Sequence, residues 1–179
     1  MTELAGFLAM ERLLRKGSVA ATLDRGKHDR GSTIAIGVAF GTAMVLAAVT
    51  SRSRSGRLPV VAGFVGNAAM ATGIGVRWWA ARTLGESYTR TLRTRPGQRV
   101  VDSGLYRRIR HPGYAADIVM WIGIGLAWMN SVSVLASAVP IITAYAYRIS
   151  REETMLREAL GEEYVLYTRR TARLLPGIY

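Results

Sequence analysis

The sequence predicts an all-α integral membrane protein with about four transmembrane helices, on three grounds. Half of the 179 residues are apolar although the formal net charge is +12. The charge is set apart from the apolar residues: the runs 34–49, 60–81 and 114–147 carry almost none, and the arginines lie between and beyond them. A span needs about 20 apolar residues, so the first two runs each supply one helix and the third supplies two. A soluble bundle with buried core helices accounts neither for these lengths nor for the glycine and alanine they contain.

The elements follow in order along one domain, 1–179, with no linker, repeat or low-complexity segment to divide it. Segment 1–32 opens with a predicted amphipathic helix over 3–16, with Leu4, Phe7, Leu8 and Leu14 divided from its charges, suited to lie on a membrane surface. Charges interrupt 1–17, so it does not read as a cleaved signal peptide. Segment 33–84 holds the first two spans. Gly63, Gly66, Ala69, Gly73 and Gly75 recur along the second, and small residues let membrane helices approach closely. Segment 85–113 is a polar loop. Segment 114–147 is a helical hairpin turning at Trp128, Met129, Asn130 and Ser131, and 148–179 is a helical polar tail.

Lysine and arginine counts orient these spans. Six precede the first span, eight lie in 82–110 and six follow Tyr147, whereas the hairpin turn has none and the 51–59 loop three. The positive-inside rule therefore places both termini and both polar segments in the cytoplasm, with the protein integral to the cell membrane. Charge of this sign beside spans also attracts anionic lipid head groups. It carries no nucleic-acid motif, so nucleic acid is not an expected partner. With no cysteine and only His28 and His111, neither thiolate chemistry nor a metal cluster is expected.

The informative polar residues concentrate in "DSGLYRRIRHPGYAADIV", 102–119. Pro112 suits the first turn of a helix and His111 before it is pushed towards an extended backbone, so a helix starts here and its free amides face the membrane surface, where an anion binds well. Tyr114 can present its ring to the same ligand. A plainer account makes Arg107, Arg108 and Arg110 interfacial anchors, His111 a cap and Tyr114 part of an aromatic belt. In the tail, Arg148 and Glu152 are one helical turn apart, and a surface ion pair is the plain expectation there. Leu156, Leu160, Tyr164 and Tyr167 form a stripe that folds the tail back, read chiefly as core packing. Arg77 is read as snorkelling to the cytoplasmic surface, and Trp78, Trp79 and Trp121 as belt or packing residues.

"VVDSGLYRRIRHPGY" followed, after a hairpin, by "RISREETMLREALGEEYVLYTRR" and Pro176 resembles the isoprenylcysteine carboxyl methyltransferase family of membrane enzymes, over about the last 90 residues. Ala115 and Ala116 stand where such proteins often carry glycine. The resemblance implies an S-adenosylmethionine-dependent methyltransferase, with S-adenosylhomocysteine as product and a lipophilic small molecule or lipid, an isoprenylcysteine-like carboxylate among the candidates, as acceptor. It implies a cofactor pocket formed by a strand-like Gln98, Arg99, Val100 and Val101, then Tyr106, His111, Pro112, Gly113 and Tyr114, completed by Glu152, with Arg148 at the substrate end. For the chemistry, a carboxylate acceptor needs only a cation such as Arg148 to hold it. An amine or hydroxyl acceptor needs a base, for which Glu152 and Glu153 are the candidates. Two other classes remain open: a membrane NAD(P)H-dependent reductase of the sterol-reductase type, whose members resemble this family in their carboxy-terminal fold, and a non-catalytic lipid-binding module whose basic segments recruit anionic lipid or a partner. Oligomeric state is not encoded in any motif.

Overall fold

The computed structural model describes residues 28–89, 91–94 and 97–177. The amphipathic helix expected over 3–16 lies outside them. Five helices form: α1 (Ser32–Thr50), α2 (Val60–Leu84), α3 (Pro112–Ala127), α4 (Ser131–Leu160) and α5 (Glu162–Arg170), with short 3-10 turns at Gly85–Ser87 and Gly104–Arg107. Among the described residues there is no β-strand, only two isolated bridges. The expected strand-like segment 98–101 is irregular loop.

The outward surface is the apolar one. On α1 the buried residues are Ser32, Ala39, Ala43 and Ala47, spaced to share one face, while Ile34, Val38, Val45 and Val49 are exposed. On α2, Val60, Val61, Phe64 and Val65 are likewise exposed. Small residues inside and branched ones outside are what helices require when their surroundings are lipid, because close packing rather than apolar burial holds them together. Helices α1, α2 and α4 are long and apolar enough to cross a membrane. Helix α3, with 16 residues, is the shorter member and spans about 24 Å.

Contacts run α2 to α3 to α4 to α1. Gly66 and Gly123 set the spacing of α2 against α3: a Cβ at Gly66 would stand 2.6 Å from the Gly123 carbonyl oxygen, and one at Gly123 would stand 2.7 Å from that of Gly66. Gly75, expected in the same role, meets nothing within 4 Å. Ala39, Ala43, Met120, Trp121, Ile124, Ile141, Ala144 and Tyr145 form the core, with Phe40 against Trp121 at 5.1 Å, so Trp121 is a packing residue.

One end of the bundle is closed by Asn130. Its carbonyl oxygen accepts from the Val132 and Ser133 amides and starts α4, while its Nδ2 donates to the carbonyls of Ser53 and Ser55. The Leu58 and Ser131 amides donate to the Met129 and Gly56 carbonyls, tying the 51–59 loop to the hairpin turn. The three remaining segments, 28–31, 85–111 and 148–177, therefore meet at the opposite end.

Candidate functional site

At that opposite end the tail is fastened to the loop before α3 by a short backbone pairing. The Arg110 amide donates to the Ala172 carbonyl (2.8 Å), His111 to Arg173 (3.0 Å) and Ala172 to Arg108 (2.9 Å). Beneath it lies Glu153, buried, with Arg110 Nε on Oε1 at 3.0 Å, and Arg157 and Arg173 on Oε2 at 3.0 and 3.2 Å. Arg110 also donates to the carbonyls of Thr168 and Thr171. Tyr167 donates to the Tyr106 carbonyl at 2.7 Å.

This fastening encloses a cavity of about 400 Å³. On its polar side stand Gln98, Arg99, Val100 and Val101, with Tyr106, Tyr164 and Tyr167; between α1 and α2 it continues along Ile36, Gly37, Phe40, Ala80 and Ala81. Where the two halves meet, the Tyr114 hydroxyl donates to Glu152 Oε2 at 2.6 Å and accepts from Arg148 Nε at 3.3 Å. The Tyr114 ring is stacked between His111, 5.5 Å away, and Tyr145, 4.6 Å away. Pro112 at the first helical position of α3 fixes where that stack begins. Burial raises the Tyr106, Tyr164 and Tyr167 hydroxyls well above the usual phenol range, and the charges of Glu152, Glu153 and Asp102 respectively push them the same way. They stay protonated, and among the described residues the Tyr167 hydroxyl is the one seen donating.

The structure gathers most of the expected site residues. Gln98, Arg99, Val100, Val101, Tyr106, His111, Gly113, Tyr114, Arg148 and Glu152 all line the cavity; Pro112 is buried behind it. Several readings are corrected. Arg148 makes no ion pair with Glu152 within 4 Å: it is buried and reaches Asp29 Oδ1 at 3.4 Å, Ser32 at 3.1 Å and Thr33 at 2.9 Å, because α1 packs on the face that carries it. Arg77 does not snorkel. It pairs with Asp117, buried in α3, which also accepts from the Tyr145 hydroxyl. Leu156, Leu160, Tyr164 and Tyr167 line the cavity besides packing the tail. Glu153 belongs to the fastening and Glu152 to the cavity, which separates two residues that adjacency made equivalent. Of the three clustered arginines, Arg110 is largely buried and Arg107 and Arg108 are exposed. Trp78 and Trp79 face outward, with Arg82 over the Trp78 ring at 4.3 Å.

Asp29 and Asp117 were missed. Asp117 was legible as a lone acid in an apolar run that also has a lone arginine in the run before it, which is the signature of a pair within a membrane bundle. Asp29 carries no such signal. Burial alone would raise its carboxyl, but hydrogen bonds from Thr33 and Ser32 and the charge of Arg148 hold it below the usual carboxylate range.

Fold and site together define a membrane-helix bundle with an aromatic and charged chamber closed by its own tail. Residues 67–158 match the model of the isoprenylcysteine carboxyl methyltransferase (ICMT) family, and the chain belongs to that family. It is 31% identical over 105 residues to protein-S-isoprenylcysteine O-methyltransferase B of Arabidopsis thaliana, covering 58% of this chain and 53% of that protein. It is 30% identical over 117 residues to the probable protein-S-isoprenylcysteine O-methyltransferase of Oryza sativa subsp. indica, covering 64% and 61%. The chain thus spans between half and two thirds of the length of these curated relatives. The solved structure of the eukaryotic intramembrane Ras methyltransferase ICMT shares the fold, with a TM-score of 0.64, 20% identity, and coverage of 99% of this chain and 63% of that one.

Proposed function

We propose that the protein is a membrane methyltransferase that moves a methyl group from S-adenosylmethionine to a lipophilic acceptor, in the manner of relatives named for protein S-isoprenylcysteine. The observation that carries this reading is the convergence of Tyr114, Glu152 and Arg148 at the neck of a cavity with one aromatic, polar half and one apolar half between α1 and α2. The two halves suit two different ligands.

The residues present fit the cofactor. The Tyr164 hydroxyl, buried in the cavity wall, makes no hydrogen bond among the described residues, and it awaits a partner from a ligand. Tyr106, Tyr164 and Tyr167 could offer ring faces to an adenine, and Gln98, Arg99, Val100, Val101, His111, Gly113 and Tyr114, which line the same cavity, would supply backbone and polar groups to the rest of the cofactor. Glu152 would hold the ammonium or ribose hydroxyls of the bound cofactor. When bound, the cofactor supplies an activated methyl on a sulfonium. The chain's own contribution is positioning: Tyr114, locked by its two ring neighbours, and Arg148, locked by Asp29, fix the neck through which the acceptor's reactive end must pass, and holding reactants at contact distance supplies much of the acceleration.

In this reading the whole chain is one catalytic domain whose cofactor face and termini are cytoplasmic in the cell membrane, the acceptor arrives from the bilayer, and the exposed arginines contact anionic head groups. Calorimetry of purified protein with S-adenosylhomocysteine and with NADPH tests it. Binding of the first and not the second is expected. Binding of NADPH alone would establish the reductase reading, and binding of neither would leave a non-catalytic module. Glu152→Gln should weaken S-adenosylhomocysteine at least about tenfold, the size of effect expected when a charged hydrogen-bond acceptor is lost.

A further inference from the structure

Arg148 is held from two sides at the neck of the cavity. Its Nη1 donates to Thr33 Oγ1 at 2.9 Å, Ser32 Oγ at 3.1 Å and Asp29 Oδ1 at 3.4 Å, all at the start of α1, and its Nε donates to the Tyr114 hydroxyl at 3.3 Å. The Arg148 and Asp29 side chains are 4% and 1% exposed, so the charge of one acts on the other with little screening by water. Asp29 is itself fixed in place. Its Oδ1 also accepts from the Ser32 and Thr33 hydroxyls at 2.9 and 2.7 Å and from the Thr33 amide at 3.3 Å. Arg148 and Thr33 line the cavity and Asp29 lies behind them, so Asp29 reaches a ligand there only through the guanidinium it holds.

An acceptor carboxylate arriving along Ile36, Gly37 and Phe40 therefore meets a guanidinium whose charge is already shared. Methyl transfer to such an oxygen consumes charge. The oxygen bonds to the methyl carbon, the carbon–sulfur bond breaks, its electron pair leaves with the sulfur, and no proton moves. The acceptor's negative charge is full in the ground state and partly gone in the transition state, so an uncompensated cation would hold the ground state the more tightly of the two and slow the step. Resting on the methyl-transfer reading with a carboxylate acceptor, we infer that Asp29 is a positioning residue that tempers Arg148. It fixes the guanidinium at the neck and offsets enough of its charge that the acceptor oxygen is oriented without being neutralised. Affinity comes instead from the isoprenoid tail in the apolar half, away from the reacting atoms.

The test compares an S-isoprenylcysteine carboxylate with its primary amide in wild-type protein and in Asp29→Asn. Affinities are measured by calorimetry with S-adenosylhomocysteine present, and methylation of the carboxylate by single turnover with S-adenosylmethionine at saturating acceptor. Asparagine keeps the shape and an acceptor oxygen for Ser32 and Thr33 but removes the charge. It should tighten carboxylate binding about tenfold and leave the amide and S-adenosylhomocysteine within about twofold. The single-turnover rate should fall about threefold, because roughly half of the acceptor's charge survives at the transition state. A merely structural role for Asp29 would weaken both acceptors together. Unchanged or weaker carboxylate binding by a variant that binds S-adenosylhomocysteine normally, an unchanged single-turnover rate, or no methylation of the carboxylate by the wild-type protein overturns the inference and leaves cofactor binding standing. Failure of the wild-type protein to bind S-adenosylhomocysteine overturns the methyl-transfer reading itself. Should Asp29→Asn not fold, the wild-type protein decides: a preference for carboxylate over amide below about tenfold is expected, and a larger one shows that Asp29 does not temper Arg148 and overturns the inference.

Discussion

Replacing Glu153 with alanine should detach the tail from the cavity, and the structure gives the size of the effect. Three guanidiniums converge on this one buried carboxylate. Arg157 and Arg173 are 46% and 35% exposed and can return to water, so their loss contributes little. Arg110 is 9% exposed and would be left as a nearly buried cation. Breaking a buried pair costs about 3–5 kcal/mol, and because the Thr168 and Thr171 carbonyls still hold Arg110, the lower end, about 3 kcal/mol, is expected. Glu153→Gln keeps one acceptor oxygen and should cost about 1.5 kcal/mol. Denaturant unfolding in detergent measures both, and limited trypsin digestion reports whether cleavage at Arg169, Arg170 and Arg173 accelerates. A loss below about 1 kcal/mol for Glu153→Ala, with an unchanged digestion pattern, would refute the claim that this carboxylate fastens the tail.

Further predictions follow from the same geometry. Arg148→Ala should abolish turnover and also destabilise the fold by about 3 kcal/mol, because it strands buried Asp29; an exposed helical pair would have cost a few tenths. Asp29 has a folded-state pKa below its unfolded value of 3.8, so its contribution to stability is present above that value and is lost as pH falls through the folded one. Asp29→Asn should accordingly flatten the acid limb of a stability–pH profile, and an unchanged limb would contradict the assignment. Gly66→Ala should destabilise by about 1–3 kcal/mol through overpacking of α2 on α3, whereas Gly75→Ala, facing open space, should be neutral or stabilise by up to about 1 kcal/mol. Thermal unfolding of the two variants side by side separates the packed glycine from the free one.

The amino-acid sequence determined where the helices run, because hydropathy and helix-start chemistry act over a few residues: the hairpin turn at Asn130, the helix beginning at Pro112 and the two polar segments all read directly from local pattern. It also placed ten of the residues that line the cavity, through a motif whose spacing is short on both sides of the hairpin. Which polar groups pair was decided only by the tertiary structure. Asp29 meets Arg148 across 119 residues and Asp117 meets Arg77 across 40. No periodicity connects such positions, since the pairing depends on which helix faces pack together. The same holds for Glu152 and Glu153, adjacent in the chain but about 100° apart around α4. That rotation sends one carboxylate into the cavity and the other under three arginines, and the packing of the tail determines which is which.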